Sequence, residues 1–256
     1  MLFQPRFTGD SCKVKTNPNT KRGLPSRLLN HYQAVFFDFD GVVAQTLEDN
    51  YRAWVHVFSK YKVKINPEEY FLMEGRRSID IVQHFLLKNG LAASLAPELI
   101  EHKHAYYAEH HEFKVYAGVE ELIQRIKSTG IKVALVSGGS ATRLRSPPSS
   151  EVLKLFDLVI TGDDCPVTKP APDPYLLAAT KLSVSPARCL VIENAPLGIE
   201  SAKNAGMQCI ALSTTLAREH LTQADLVLNS ICEVKTLLLE EERSGLEGAE
   251  NCSPGA

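Results

Sequence analysis

The stretch Ala34-Val35-Phe36-Phe37-Asp38-Phe39-Asp40-Gly41-Val42-Val43 governs how the whole chain is read. Four consecutive apolar residues, β-branched and aromatic types among them, predict a strand buried on both faces. The run stops at a carboxylate, then a second carboxylate, then a glycine. A strand without a polar face belongs inside a parallel sheet, and the C-terminal ends of such strands open into the crevice where ligands bind. Asp38 and Asp40 are therefore expected on a rigid element facing a site. Two carboxylates this close repel each other unless a cation lies between them or one keeps its proton, and a divalent ion is the commoner answer. Asp and Gly also favour turns, so the stretch by itself fits a plain strand end equally well.

Immediately downstream, Leu47, Tyr51, Trp54, Val55 and Phe58 recur at helical spacing and are followed by Asn66-Pro67, read as a break. Ile79, Val82, Phe85 and Leu86 predict a second helix that stops at Asn89-Gly90, and a third starts near Pro97 and runs towards His111. An all-helical cap over 46–113 is thus inserted after the first strand. Beyond it strands and helices alternate: helix 119–128, strands 132–136 and 158–160, helix 175–182, strand 189–192, helix 198–204, strands 209–212 and 226–228, and a last helix to about 239. The expected fold is α/β, a doubly wound parallel sheet of Rossmann type built from 34–45 and 114–240, carrying the helical cap. Ser146-Pro147-Pro148-Ser149 must break or shorten the helix after the second strand.

Three later stretches converge on the same sheet edge. Val136-Ser137-Gly138-Gly139-Ser140 follows the second strand, and its hydroxyl and glycine amides can form an anion-binding concavity, although a Gly-Gly turn reads the same. Thr168-Lys169-Pro170-Ala171-Pro172-Asp173-Pro174 carries a lysine on a proline-stiffened loop, with Asp173 expected to N-cap the next helix and Pro174 to begin it. Such a loop would aim one ammonium at a phosphoryl group; a solvated lysine is the plain alternative. Val191-Ile192-Glu193-Asn194-Ala195-Pro196 ends another buried strand with a carboxylate and a carboxamide, hard oxygen donors suited to Mg²⁺, while Asn194 could equally cap the helix that Pro196 begins.

Composition narrows the function classes. The chain has 256 residues, 44% hydrophobic, with a formal net charge of -2, which argues against a general nucleic-acid or membrane surface. No window holds ~18 consecutive apolar residues, so no membrane span is expected. The six cysteines are scattered without C-x-x-C or finger spacing, as expected of reduced thiols in a cytoplasmic protein. Residues 1–33 hold one acid, several basic residues and no sustained apolar period, and read as a flexible basic arm; 241–256 reads as a loose tail. The arm is acid-poor like a transit peptide but lacks its amphipathic pattern. His102, His104, His110 and His111 crowd the third cap helix without the spacing of a zinc site. Arg76 and Arg77, in Gly75-Arg76-Arg77-Ser78, could reach from the cap to a charged or hydroxyl-rich substrate, or be solvated.

The order F-D-F-D-G-V, V-S-G-G-S, T-K-P-A-P-D-P and V-I-E-N-A-P-L-G-I-E-S-A-K-N-A-G-M resembles the haloacid dehalogenase superfamily of phosphohydrolases, in its helical-cap branch similar to beta-phosphoglucomutase and sugar-phosphate phosphatases. The resemblance covers roughly Ala34 to Leu239. It implies Asp38 as the nucleophile of an aspartyl-phosphate, Asp40 as general acid and base, and Ser137, Gly138 and Lys169 as phosphate-binding groups. It implies a Mg²⁺ shell of Asp38, the Asp40 main-chain carbonyl, Asn194 and, through water, Glu193. Three departures stand out: Asn194 replaces the family's Asp and removes one negative charge, Gln45 stands where an acid is common just before the cap hinge at Thr46, and Asn50 replaces a histidine of the mutase cap. Thr46, Asn50, Arg76 and Arg77 are the candidate substrate-contacting residues. The function expected is a Mg²⁺-dependent phosphatase acting on a small phosphorylated metabolite, as a monomer or weak homodimer. A phosphomutase and a catalytically weak phosphate-ligand sensor are the alternatives.

Overall fold

A computed structural model describes residues 28–239. Its frame is a six-stranded, all-parallel sheet made of β1 (Ala34–Phe37), β2 (Lys132–Val136), β3 (Leu158–Ile160), β4 (Cys189–Glu193), β5 (Gln208–Leu212) and β6 (Leu226–Leu228), in the order β3-β2-β1-β4-β5-β6. β1 pairs with both β2 and β4, Phe37 lying opposite Leu135 on one side and Ile192 on the other. All four β1 residues are buried, as a strand in the middle of a covered sheet requires.

Alternation along the strands sends Val35, Phe37, Val133, Leu135, Leu190 and Ile192 into a core shared with α5 (Val119–Ser128) and α10 (Ile231–Leu239). Ala34, Phe36, Ala134, Val136, Val191 and Cys209 point the other way, into a core shared with α8 (Asp173–Lys181) and α9 (Pro196–Asn204). Chain order reverses across β1, so the crevice at its C-terminal end is the switch point of the doubly wound sheet.

Between β1 and β2 the chain leaves the sheet for a helical layer: α1 (Leu47–Ser59), α2 (Pro67–Phe71), α3 (Ser78–Lys88) and α4 (Ala96–His110). Trp54, Phe58, Phe71, Phe85 and Leu99 pack its separate apolar cluster. The outgoing and returning segments are tied together: Gln45 N–H donates to Lys114 O at 2.8 Å, Tyr116 N–H to Val43 O at 3.0 Å, and Ala44 bridges Val115 antiparallel.

Three local expectations change. Asn66-Pro67 starts a helix instead of breaking the chain: Asn66 accepts the Glu69 N–H at 3.1 Å and Pro67 is the first residue of α2. Asp173 is the first residue of α8 and Pro172 holds the cap position, without a side-chain cap bond. Residues 28–33, assigned to the flexible arm, dock on the core, because Leu29 and Tyr32 bury their side chains there and Gln33 N–H reaches Arg188 O at 2.7 Å. The remainder of the arm and the tail lie outside the described residues. The Pro147-Pro148 stretch splits the helix after β2 into α6 (Ala141–Arg145) and α7 (Ser149–Leu153), as anticipated.

Burial separates sites that matter for stability from those that do not. Phe36→Ala, at a fully buried position, should cost about 3–5 kcal/mol in urea unfolding. Leu87→Ser, at a side chain that is 83% exposed, should stay within about 0.5 kcal/mol of the parent protein in the same measurement.

Candidate functional site

The buried ammonium of Lys169 ties three strand ends together. Its Nζ donates to Asp38 Oδ1 at 2.7 Å, to Glu193 Oε1 at 2.7 Å and to Val136 O at 3.0 Å. The three partners end β1, β4 and β2, so the parallel register delivers them to one edge. Burial alone would lower the lysine's pKa, but the two carboxylates more than offset it and hold the ammonium charged. Burial pushes the Asp38 carboxyl up to about 7, against the pull of Lys169 and with the repulsion of Glu193 and Asp40 added.

Glu193 uses all its acceptor capacity on protein donors: Tyr175 OH joins Lys169 on Oε1 at 3.1 Å, and the N–H groups of Asn194 and Ala195 meet Oε2 at 2.8 and 3.1 Å. Gly198 makes room for it, since a Cβ there would collide with the carboxylate. Asn194 does not cap α9, whose cap position is Ala195. Its Nδ2 donates to Thr215 Oγ1 at 3.2 Å, and its Oδ1 is the one buried side-chain polar atom without a hydrogen-bond partner among the described residues.

Asp40 has a cation of its own. Arg143, from α6, donates Nη1 to Asp40 Oδ1 at 2.8 Å and Nη2 to Oδ2 at 2.5 Å, while the Thr46 hydroxyl donates to Oδ1. Burial would raise this carboxyl, yet the Arg143 charge and hydrogen bonds hold it below the usual range. The guanidinium lies 5.7 Å from the Phe39 ring and 6.0 Å from that of Tyr107 in α4, so it bridges sheet and cap. Gly139 clears its path, because a Cβ would meet Nη2 at 2.3 Å.

Under the cap lies a cleft of about 490 Å³, counted out to open solvent, lined from the core by Asp38, Asp40, Gly138 and Arg143 and from the cap by Asn50, Glu74, Arg76 and Lys103. Ser137 sits beside it with its Oγ accepting the Gly139 N–H at 3.0 Å. The cap loop rests on the glycine loop: a Cβ at Gly138 would stand 2.5 Å from Gly75 O. Lys103 is 3% exposed and donates to the neutral Asn50 Oδ1 at 2.5 Å, with the Tyr107 and Trp54 rings 5.0 and 5.8 Å from Nζ. Burial, with the like charge of Arg143 second, pushes its pKa down to about 7. Glu74 faces Asp38 and Asp40, and burial and those two carboxylates push its carboxyl well above the usual value.

The structure therefore brings together Asp38, Asp40, Ser137, Gly138, Lys169, Glu193 and Asn194, with Thr46, Asn50 and Arg76 beside them. Arg77 does not join them: its guanidinium turns along α3 to Asp80, at 3.1 Å. Arg143, Lys103 and Glu74 were not singled out in the sequence. Arg143 follows three residues after Ser140, the α6 N-cap, a spacing that signals a helix start but not a partner on β1. Lys103 is hidden among histidines on a helix with little amphipathic character.

Two outcomes follow from these pairings. Arg143→Ala strands a buried carboxylate and should lower stability by about 3–5 kcal/mol in denaturant unfolding. Lys103 binds its proton less tightly folded than unfolded, so its cost is fully present below pH 7 and fades as pH rises towards ~10. Lys103→Met should accordingly raise the melting temperature at pH 6 and leave it nearly unchanged at pH 10.

Residues 35–212 match the family described as Haloacid dehalogenase-like hydrolase. The validoxylamine A 7'-phosphate phosphatase of Streptomyces hygroscopicus subsp. limoneus is 29% identical over 207 residues, covering 80% of this chain and 96% of that one. Hexitol phosphatase A of Escherichia coli (strain K12) is 29% identical over 199 residues, 77% of this chain and 91% of that one. Among solved structures, a putative beta-phosphoglucomutase from Bacteroides vulgatus superposes with a TM-score of 0.74 at 27% identity, covering 84% of this chain and 90% of that one. The matched residues begin in β1, end with β5 and include every group held at the Lys169 junction, and the chain belongs to the haloacid dehalogenase-like hydrolases, a family of enzymes.

Proposed function

We propose that this enzyme is a Mg²⁺-dependent phosphatase that removes the phosphoryl group of a small phosphomonoester, a sugar or polyol phosphate, by way of an aspartyl-phosphate on Asp38. The observation that carries the reading is the meeting of the Asp38 carboxylate, the Lys169 ammonium and the Ser137–Gly139 loop at one sheet edge beneath the cap. The similar phosphatases, named for a hexitol phosphate and for validoxylamine A 7'-phosphate, support this substrate class.

The donor set suits Mg²⁺. The unpartnered, buried Asn194 Oδ1 is an oxygen in want of a cation, and Asp38, Asn194 and the Asp40 main-chain carbonyl would hold the ion. Glu193, saturated by protein donors, would act from outside that set. Among the described residues no group of three or more His, Cys, Asp or Glu side chains is placed to hold a metal ion, so amide, main-chain and water oxygens would have to complete the shell. When bound, Mg²⁺ supplies positive charge to the phosphoryl oxygens.

Lys169 pins Oδ1 of Asp38, which leaves Oδ2 to attack phosphorus. The new O–P bond forms as the bond to the substrate oxygen breaks, and that oxygen takes a proton from Asp40. Water then attacks the aspartyl-phosphate, its proton passes to Asp40, and inorganic phosphate leaves with Asp38 restored. Arg143 holds Asp40 ionised with both oxygens engaged, so the acid step requires the incoming phosphate dianion to draw Arg143 away and Asp40 then to take up a proton from solvent, which it passes to the leaving oxygen. The Ser137 hydroxyl and the glycine amides hold the transferred oxygens. The cap, resting on Gly138, keeps bulk water out.

A phosphate-release screen across sugar and polyol phosphates with millimolar Mg²⁺ tests the reading. Asp38→Asn should abolish release. Asn194→Asp restores a carboxylate and should lower the Mg²⁺ concentration for half-maximal rate, because affinity follows ligand charge. Isomer accumulating in place of phosphate from hexose 1-phosphate with a bisphosphate activator would make the enzyme a mutase. Binding without any turnover would make it a sensor.

A further inference from the structure

An amide where a carboxylate is expected creates a problem of orientation. Both edges of a carboxylate accept, whereas a carboxamide presents oxygen on one edge and N–H on the other. With the wrong edge forward, Asn194 would point hydrogens at a cation. Something in the chain must choose.

We propose that Thr215 is a positioning residue of the cation site: its hydroxyl takes the Asn194 amide N–H and so turns the amide oxygen forward as a neutral ligand. The inference rests on the cation assignment made above. Asn194 is 1% exposed, so solvent does not satisfy its amide. Its Nδ2 lies 3.2 Å from Thr215 Oγ1, and its Oδ1 has no donor. A hydroxyl can either accept from an amide or donate to it; with Nδ2 facing it at 3.2 Å, the Thr215 hydroxyl accepts.

The surroundings fix both partners. The amide lies close against Gly41, where a Cβ would stand 2.2 Å from Nδ2 and 2.9 Å from Cγ, and Gly41 has a φ of +89° that suits glycine. On the other side the Thr215 loop is clamped at each neighbour. Thr214 Oγ1 donates to Gly41 O at 2.7 Å, and Leu216, 2% exposed, packs in the apolar cluster that holds Leu47 and the cap helices. The acceptor offered to Asn194 is thus held by the β1 turn and by the cap together.

Calorimetric titration of Mg²⁺ into the full chain tests the proposal without recourse to turnover. Thr215→Val should weaken binding about tenfold, equivalent to ~1.4 kcal/mol, and Thr215→Ser should restore it to within about twofold. In an Asn194→Asp background the same Thr215→Val change should cost less than about threefold, since either edge of a carboxylate serves. Thr215→Ala replaces the valine variant if thermal melts show that it does not fold. Wild-type binding retained by a folded Thr215→Val protein, or an equal loss in both backgrounds, overturns the role of Thr215 and leaves the phosphatase reading standing. A wild-type chain that binds no Mg²⁺ removes the cation itself, and the inference with it.

Discussion

One buried ammonium shared between two carboxylates is the constraint around which the site is arranged. Packing several acids at the end of a hydrophobic sheet is unfavourable, because burial penalises each charge and the like charges repel. Lys169 answers this for Asp38 and Glu193, and Arg143 answers it for Asp40. Lys169 comes from the loop after β3 and Arg143 from α6 after β2, so neutralising the charges also fixes where those two segments lie. An arrangement that a ligand can later exploit is therefore also the one that lets the apolar strands stay buried.

The distribution of charge is uneven in a way that bears on chemistry. Asp38 and Glu193 share a single ammonium, which leaves one net negative charge at the strand ends for a cation, and Asn194 adds none. Asp40, by contrast, is fully matched by a bidentate guanidinium. The two environments push otherwise identical carboxyls apart, Asp38 upward and Asp40 downward, which is the reverse of what attack by Asp38 and proton donation by Asp40 require, so those roles depend on a cation at Asp38 and on Arg143 leaving Asp40.

Much of the fold was legible because it depends on short-range pattern. The unbroken apolar run of β1 has only one comfortable location, and the Gly and Pro punctuation around α3, α5 and α9 marks their ends well. What stayed hidden was long-range or two-valued. Asn66-Pro67 serves as readily to begin a helix as to end one. The partnership of Arg143 with Asp40 joins residues that no local rule relates, and Arg77 was drawn aside by Asp80, a neighbour on its own helix turn. Asn194 could have capped α9 until the structure placed Ala195 there, and nothing local to the sequence foretold that its amide oxygen would be left without a donor.

The paired connectors at Val43–Gln45 and Lys114–Tyr116 bear on how the two layers can move. Two extended segments joined by main-chain hydrogen bonds resist sliding and twisting more than they resist bending across their width. The helical layer is thus tethered to the sheet at one hydrogen-bonded pair of connectors, and about that strap the least resisted displacement is a bend. Both ends of the layer leave the sheet at one place, so the helices above can be exchanged or reshaped over generations while the strand ends beneath keep their register.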